Sequence, residues 1–522
     1  MCNIKSNQIT NNNGWVHHVK LSQPCLGDNV ADIDRLIAQL KDQLKVQNIN
    51  VDLATISQLP DILRNSNFDI ICTIFGFDNQ YHLLEVQPSE NYLPVYGLAL
   101  DLGTTRVVLR IIDLANKNVI AETSIENPQI KIAPDVLARI HYTDQPDGLK
   151  QLQELIINGI NKEIQNICKN KSISLERILC MSVAGNTCMT HLFLGLPPHA
   201  IIREPYIPVV NKQLLVSASE LSIQINPNAK VFIFPNIGSY FGGDLIAGIL
   251  YVDMHNSEDT VIMVDVGTNA EVVLGNRDWM LACAGAAGPA LEGGVSKIGM
   301  TAAPGAIERI KLKPGSSEFE YHTIENKKPV GICGSGIIDL AAVLFKAGMI
   351  DIRGKFVPEN CKDKLKIIDE INHFMVVSKS EASTPYDLTL SQVDVDSLVR
   401  SKAAMYTILT TISKSVGMEL KDFSKFYVAG TFGAYIDPVS AITIGMIPDL
   451  PLYRYKSVGN SSLEGASRVL MSRYDLDSVS DIHQKITYME LNVNQEFMNR
   501  FSAAKFLPHT DLTLFPSVSN SL

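Results

Sequence analysis

Two apolar runs in this chain end in the same short pattern. Tyr96–Leu100 leads into Asp101, Gly103, Thr104 and Thr105, and Val261–Val264 leads into Asp265, Gly267, Thr268 and Asn269. A strand that stops at a glycine exposes backbone N–H groups, and a turn of this kind can cradle phosphate oxygens. The aspartate beside it can hold Mg2+ through water, and a threonine hydroxyl can add a hydrogen bond. One Asp-x-Gly-Thr turn is ordinary hairpin chemistry. Two, each followed by a β-rich segment, point to two similar halves closing on one nucleotide. In that arrangement Asp101 and Asp265 hold the metal and orient water, while Gly103, Thr104, Thr105, Gly267, Thr268 and Asn269 line the phosphates.

Other positions carry weaker signals. Asp244 follows Gly242 and Gly243 and opens an apolar helix. It either caps that helix or projects toward the γ-phosphate and polarises the attacking water, and both roles can hold together. Glu271 either faces the cleft or begins a strand. Gly430, Thr431 and Gly433 form a third glycine turn after a strand, where small residues let a flat base approach the backbone. Gly334, Ser335 and Gly336 precede a helix, a place suited to an anion or a ribose or to close helix packing. Lys402 either lies along an adenine face or is a solvated surface lysine. The pair His17–His18 falls in a strand pattern and points to opposite faces.

Several chemistries are excluded by their missing signatures. There is no Gly-x-x-x-x-Gly-Lys-Ser/Thr, no Gly-x-Ser-x-Gly and no His-Glu-x-x-His. The nine cysteines form no CxxC pair and have no zinc or iron–sulfur spacing; they read as reduced, mostly buried thiols. The net charge of −10 lacks any Lys/Arg block, which argues against nucleic acid as a partner. The N-terminus lacks a signal-peptide core, and no uncharged apolar run reaches the about 18 residues of a membrane span. The cytoplasm is the expected location.

The elements that must position these turns follow from periodicity. Residues 1–14 are Asn-rich and loose. Residues 15–92 read as a small α+β domain: strand Val16–Leu21, helix Asp32–Lys45, then strands Phe68–Phe75 and Tyr81–Val86. Residues 95–255 and 256–475 each open on a three-strand meander and continue with helices and further strands, the order of a duplicated ribonuclease-H-like unit. Residues 476–522 read as a C-terminal extension without recognisable chemistry. The fold class is α/β, two ribonuclease-H-like lobes behind a small N-terminal domain.

Together the turns resemble those of the actin, sugar-kinase and heat-shock-protein-70 superfamily. The ordered segments Val183–His191, Gly242–Asp244, Ala286–Gly293, Gly331–Asp339, Ser391–Asp394, Lys402–Ala404, Gly430–Gly433 and Gly459–Ala466 are similar to one branch of it, the ATP-dependent reductive activators of corrinoid proteins. Leu21–Pro24 and Asp32–Leu36 resemble that family's linker region. The resemblance implies an actin-like ATPase fold, ATP and Mg2+ as cofactors, a corrinoid protein as partner, and its return from Co(II) to Co(I); it is compatible with a homodimer. Two departures stand out. Family members carry an N-terminal [2Fe–2S] domain held by four cysteines, which Cys2 and Cys25 cannot supply. No iron–sulfur cluster is therefore expected in this chain, and the electrons come from a separate ferredoxin-like or other low-potential donor. Arg106 stands where the family's first turn usually continues with a threonine. Two alternatives remain open at this stage: an ATP-binding docking or sensor module without reductase activity, and a small-molecule kinase of the same superfamily.

Overall fold

Short apolar runs bounded by turns write the N-terminal sheet. In this computed structural model, which describes residues 13–267, 270–285, 297–313, 318–430, 435–491 and 495–520, β1 (Val16–Lys20), β2 (Ile49–Val51), β3 (Asp69–Phe77) and β4 (Gln80–Pro88) pair in the order β1-β3-β4-β2. Helix Asp32–Leu44 buries Leu36, Leu40 and Leu44, a four-residue spacing that puts them on one face. A second helix, Leu53–Asn65, is missing from the sequence reading. Pro60 sits inside it and removes one helical N–H, which normally argues for a break. The helix holds because the Asp52 carboxylate accepts from the Thr55 N–H at 2.7 Å and because Leu59 and Leu63 are buried.

The two neighbouring histidines part as strand geometry requires. His18 Nε2 meets Asp69 Oδ1 at 2.5 Å, whereas His17 is buried. Burial, with the Arg473 charge beside it, lowers the His17 pKa from 6.5 to about 4. Between those pH values the unfolded chain binds a proton that the folded one refuses. His17 therefore contributes stability that is complete above pH 6.5 and is lost as pH falls toward 4, about 3 kcal/mol in all. Urea midpoints of the wild-type chain should drop across this window, and His17→Leu should flatten that part of the profile; an unchanged slope in the variant would assign the loss elsewhere.

The first large sheet is built from β5 (Tyr96–Leu102), β6 (Arg106–Asp113), β7 (Val119–Glu126), β8 (Ile178–Gly185), β9 (Leu214–Ser217) and β10 (Lys230–Ile233), in the order β7-β6-β5-β8-β10-β9. β5, β6 and β7 form an antiparallel meander, and β8 and β10 continue parallel to β5. A parallel strand needs a long crossover, and helix Gly148–Lys171 supplies it, burying Leu152, Ile156, Ile160 and Ile164.

The plan then repeats. β11 (Val261–Val266), β12 (Ala270–Gly275) and β13 (Met280–Gly285) form a second meander. Two small sheets follow, β14 (Ala306–Leu312) with β15 (Phe319–Thr323) and β16 (Gly331–Ile332), and β17 (Leu365–Ile368) with β18 (Ile371–Val377) and β19 (Leu388–Ser391). Helix Gln392–Ser415 is the second crossover, and β20 (Phe426–Ala429), β21 (Tyr455–Gly459) and β22 (Ile486–Tyr488) complete the order β22-β13-β12-β11-β20-β21. The duplicated α/β plan expected from periodicity is thus the fold that forms.

The chain divides into two compact units. One takes the chain to Tyr251 together with Ser461–Lys485; the other takes Val252–Asn460 and the residues from Ile486 onward. Read along the sequence, 461–475 continues the second lobe; in the fold, helix Ser461–Met471 packs on β5, β8 and helix Gly243–Tyr251. Its small face makes this possible. A Cβ on Gly465 would lie 2.0 Å from the Ala247 carbonyl oxygen, so the two helix backbones touch. Arg110 of β6 ties the helix down through Glu464 at 2.7 Å and Ser467 at 3.1 Å. The N-terminal sheet belongs to the same unit, with the Trp15 indole N–H donating to the Val469 carbonyl at 3.0 Å.

Candidate functional site

Parallel strands end together, and ligands of open α/β sheets collect at their carboxyl ends. In the first unit the register pairs Asp101 with Ala184, Leu102 with Gly185 and Ile233 with Val183, so the turns after β5, β8 and β10 share one edge. The first turn is tight: a Cβ on Gly103 would meet the Arg106 carbonyl oxygen at 2.4 Å. It is also held from several sides. Asn127 donates its Nδ2 to the Gly103 carbonyl at 2.9 Å and its N–H to the Thr105 carbonyl at 2.8 Å. Arg139 Nη2 donates to the Thr104 carbonyl at 2.7 Å, and Asn186 Nδ2 to Thr104 Oγ1 at 3.0 Å. Asp101 is half-buried, and Ser462 Oγ donates to its Oδ1 at 2.8 Å. A carboxylate with one oxygen oriented by a hydroxyl keeps capacity to bind a hydrated cation.

The glycines around Asp244 serve close approach. A Cβ on Gly242 would fall 2.4 Å from Asn186 Cα, and one on Gly243 would fall 2.6 Å from Phe234 Cβ. The Asp244 Oδ1 accepts from the Leu245 N–H at 2.9 Å, so the side chain serves the start of helix Gly243–Tyr251. Asn186 caps the neighbouring helix Thr187–Leu194, accepting from the Met189 N–H at 2.9 Å.

The second unit repeats the arrangement. Asp265 pairs in register with Ala429 of β20 and with Glu271 of β12, and Ala429 pairs with Gly459 of β21. Asp265, Gly430 and Gly459 therefore stand at one sheet edge. Gly430 has φ +83°, and a Cβ there would lie 2.8 Å from Asp265 Oδ1. Only glycine lets the chain turn so close to that carboxylate without strain. Gly267 is half-buried. Thr268, Asn269, Thr431 and Gly433, with the segment 286–293, lie outside the described residues.

Two expectations need correction. Gly334 and Ser335 are buried, the Ser335 hydroxyl donates to the Glu308 carbonyl at 3.2 Å, and a Cβ on Gly336 would meet the Ile307 carbonyl oxygen at 2.3 Å. This is close helix packing on β14. Lys402 is neither solvated nor extended along a surface. It is fully buried, and its Nζ donates to the carbonyls of Phe506, at 2.5 Å, and Pro508, at 2.7 Å. Burial pushes its pKa well below the usual lysine value. Its work is to tie the C-terminal segment to helix Gln392–Ser415.

Sequence reasoning missed Asn127 and Arg139, and saw Asn186 and Ser462 only as parts of motifs. Asn127 and Arg139 lie in segments without a glycine signature, and Ser462 stands 361 residues from the carboxylate it serves. The Arg139 guanidinium is fully buried; burial lowers its pKa to about 10, which leaves it charged at neutral pH. Among the described residues no group of three His, Cys, Asp or Glu is arranged to hold a metal, and no helix is long and apolar enough to cross a membrane. The eight described cysteines are free thiols, seven of them buried.

Comparison with known families gives a contiguous match. The family described as "C-terminal domain of RACo the ASKHA domain" covers residues 259–519, "RACo middle region" covers 96–257, and "RACo linker region" covers 8–92. The chain is similar to a protein of Eubacterium limosum named "Corrinoid activation enzyme RamQ", 32% identical over 457 residues, which is 85% of this chain and 76% of the relative. It is also similar to "[Co(II) methylated amine-specific corrinoid protein] reductase" of Methanosarcina barkeri, 27% identical over 442 residues, 78% of this chain and 76% of the relative. Among solved structures it is similar to "Reductive activator for corrinoid,iron-sulfur protein", with TM-score 0.85, 39% identity and coverage of 97% of this chain and 81% of that one.

Proposed function

This chain belongs to the RACo family, and on that premise we propose that it is an ATP-dependent enzyme that returns a corrinoid protein from Co(II) to Co(I). The observation that carries the reading is the likeness to a reductive activator over 97% of the chain. The family matches over residues 96–257 and 259–519 span both strand-end turns.

Asp101 and Asp265 hold Mg2+ through water in this reading. Gly103, Thr104, Thr105, Gly267, Thr268 and Asn269 line the phosphates in the same reading, and Gly430, Thr431 and Gly433 let the base approach the backbone. Asp244, which already steadies the start of its helix, also faces the water that attacks the γ-phosphate. Ser335 and Lys402 are left out, since the Ser335 hydroxyl and Lys402 Nζ are bonded to backbone carbonyls, and Gly334 is left out with them as part of the same buried helix start. Bound ATP, on hydrolysis, supplies free energy for an otherwise unfavourable one-electron reduction. The chain's residues can pass that energy on only if two conformations bind the nucleotide with different affinity. The electron comes from a low-potential donor outside these 522 residues, which hold no four-cysteine cluster motif. The buried free thiols suit a reducing compartment, and we place the protein in the cytoplasm.

The test is absorption spectroscopy of a Co(II) corrinoid protein mixed with this chain and a low-potential donor, with and without ATP. Growth of the Co(I) band only when ATP is present is the expected result. ATP binding with no Co(I) formed for any corrinoid partner would favour a docking or sensing role, and phosphate transfer to a metabolite would favour a kinase.

A further inference from the structure

We infer that Arg139 and Asn127 are positioning residues that aim two consecutive peptide N–H groups, those of Thr104 and Thr105, as an anion cradle for the phosphates of a nucleoside triphosphate. The inference rests on the ATP-binding reading above. Three carbonyls in a row each take a donor: Gly103 from Asn127 Nδ2 at 2.9 Å, Thr104 from Arg139 Nη2 at 2.7 Å, and Thr105 from the Asn127 N–H at 2.8 Å. In a trans peptide the C=O of one residue and the N–H of the next point in opposite directions. Holding the Gly103 carbonyl therefore turns the Thr104 N–H away from Asn127. Holding the Thr104 carbonyl turns the Thr105 N–H away from Arg139. Neither N–H meets an acceptor among the described residues. Thr105 is exposed and Thr104 half-buried, so a ligand can reach them. Successive N–H groups turned outward by one short turn form the kind of concavity that binds anions.

The charge on Arg139 points the same way. Its guanidinium is fully buried, and its partners are the Ala133 carbonyl, Met189 Sδ and the Thr104 carbonyl. Among the described residues no carboxylate makes a hydrogen bond to it, and the attraction of Asp135 offsets only part of the effect of burial, which still lowers its pKa. A buried charge that its neighbours compensate only in part is destabilising. An anion on the opposite side of the Thr104–Thr105 peptide has the sign that relieves it. Asn186 Nδ2 donates to Thr104 Oγ1 at 3.0 Å and so fixes the threonine side chain on the turn.

Amide hydrogen exchange on the full chain tests the cradle directly. With Mg-ATPγS saturating, the Thr104 and Thr105 amides should exchange at least tenfold more slowly. Arg139→Met should weaken ATPγS at least tenfold while changing adenosine affinity less than twofold, and Arg139→Lys should recover part of the loss. A purely structural arginine would instead lower the unfolding midpoint and leave the ATPγS-to-adenosine ratio as in wild type. That ratio, or unchanged amide exchange in a wild-type chain that calorimetry shows to bind ATPγS, would overturn the inference and leave the ATP reading intact. A wild-type chain that bound no ATPγS would remove both. The exchange measurement needs no variant, so a misfolded Arg139→Met leaves the question decidable.

Discussion

Asp265→Asn should lower Mg-ATP turnover at least about a hundredfold, the low end of the loss when one preorganised electrostatic contact in an active site is removed, with little change in folding. The substitution keeps the size of the side chain and its accepting oxygen but removes the charge that would hold a hydrated cation. The site is half-buried at the end of β11, and the local fold depends on backbone pairing with Ala429 and Glu271, which Asn preserves. A stability change within about 1 kcal/mol is therefore expected. Phosphate release under saturating Mg-ATP reads the first effect and urea unfolding reads the second. Gly430 sharpens the argument: the second chain turn is brought so close to Asp265 Oδ1 that even a methyl group would collide with it. Such crowding keeps the carboxylate at one place on the sheet edge. A variant that hydrolyses ATP at the wild-type rate would remove Asp265 from the site.

Gly465→Val should produce the largest loss of stability of any single change considered. Its Cβ would lie 2.0 Å from the Ala247 carbonyl oxygen and 2.4 Å from the carbonyl carbon. These are backbone atoms of helix Gly243–Tyr251, so no side-chain rotation relieves the clash, and the helices must separate. Overpacking of this kind costs about 3 kcal/mol or more, the upper part of the usual range. The damage would travel. Helix Ser461–Met471 carries Ser462 to Asp101 and receives Arg110 through Glu464 and Ser467. Turnover should thus fall together with stability, whereas Asp265→Asn separates the two. A denaturation midpoint within about 1 kcal/mol of wild type would show that the helix contact tolerates separation.

Much of this molecule was legible before its structure. The meanders Tyr96–Glu126 and Val261–Ala284 stand out because strand periodicity is a property of adjacent residues. The turns at Asp101 and Asp265 stand out because Gly beside Asp and Thr is a local chemical statement. Helix Leu53–Asn65 was not legible, since Pro60 argues against a helix and only burial of Leu59 and Leu63 overrides it. Lys402 was misread for a related reason. A lysine is normally exposed, and nothing near it in sequence announces that the Phe506 and Pro508 carbonyls, more than 100 residues away, will accept from its Nζ.

By itself, then, the order of residues determined the duplicated α/β plan, the two aspartate turns and the family to which the chain belongs. Each of these depends on contacts between neighbours in the chain or on short patterns that survive any amount of intervening sequence. Tertiary structure alone decided which side chains stand behind the turns. Asn127, Arg139, Asn186 and Ser462 reach Asp101–Thr105 from 24 to 361 residues away. Their roles come from hydrogen bonds whose partners meet only after sheets and helices have packed, and no local preference encodes such a meeting.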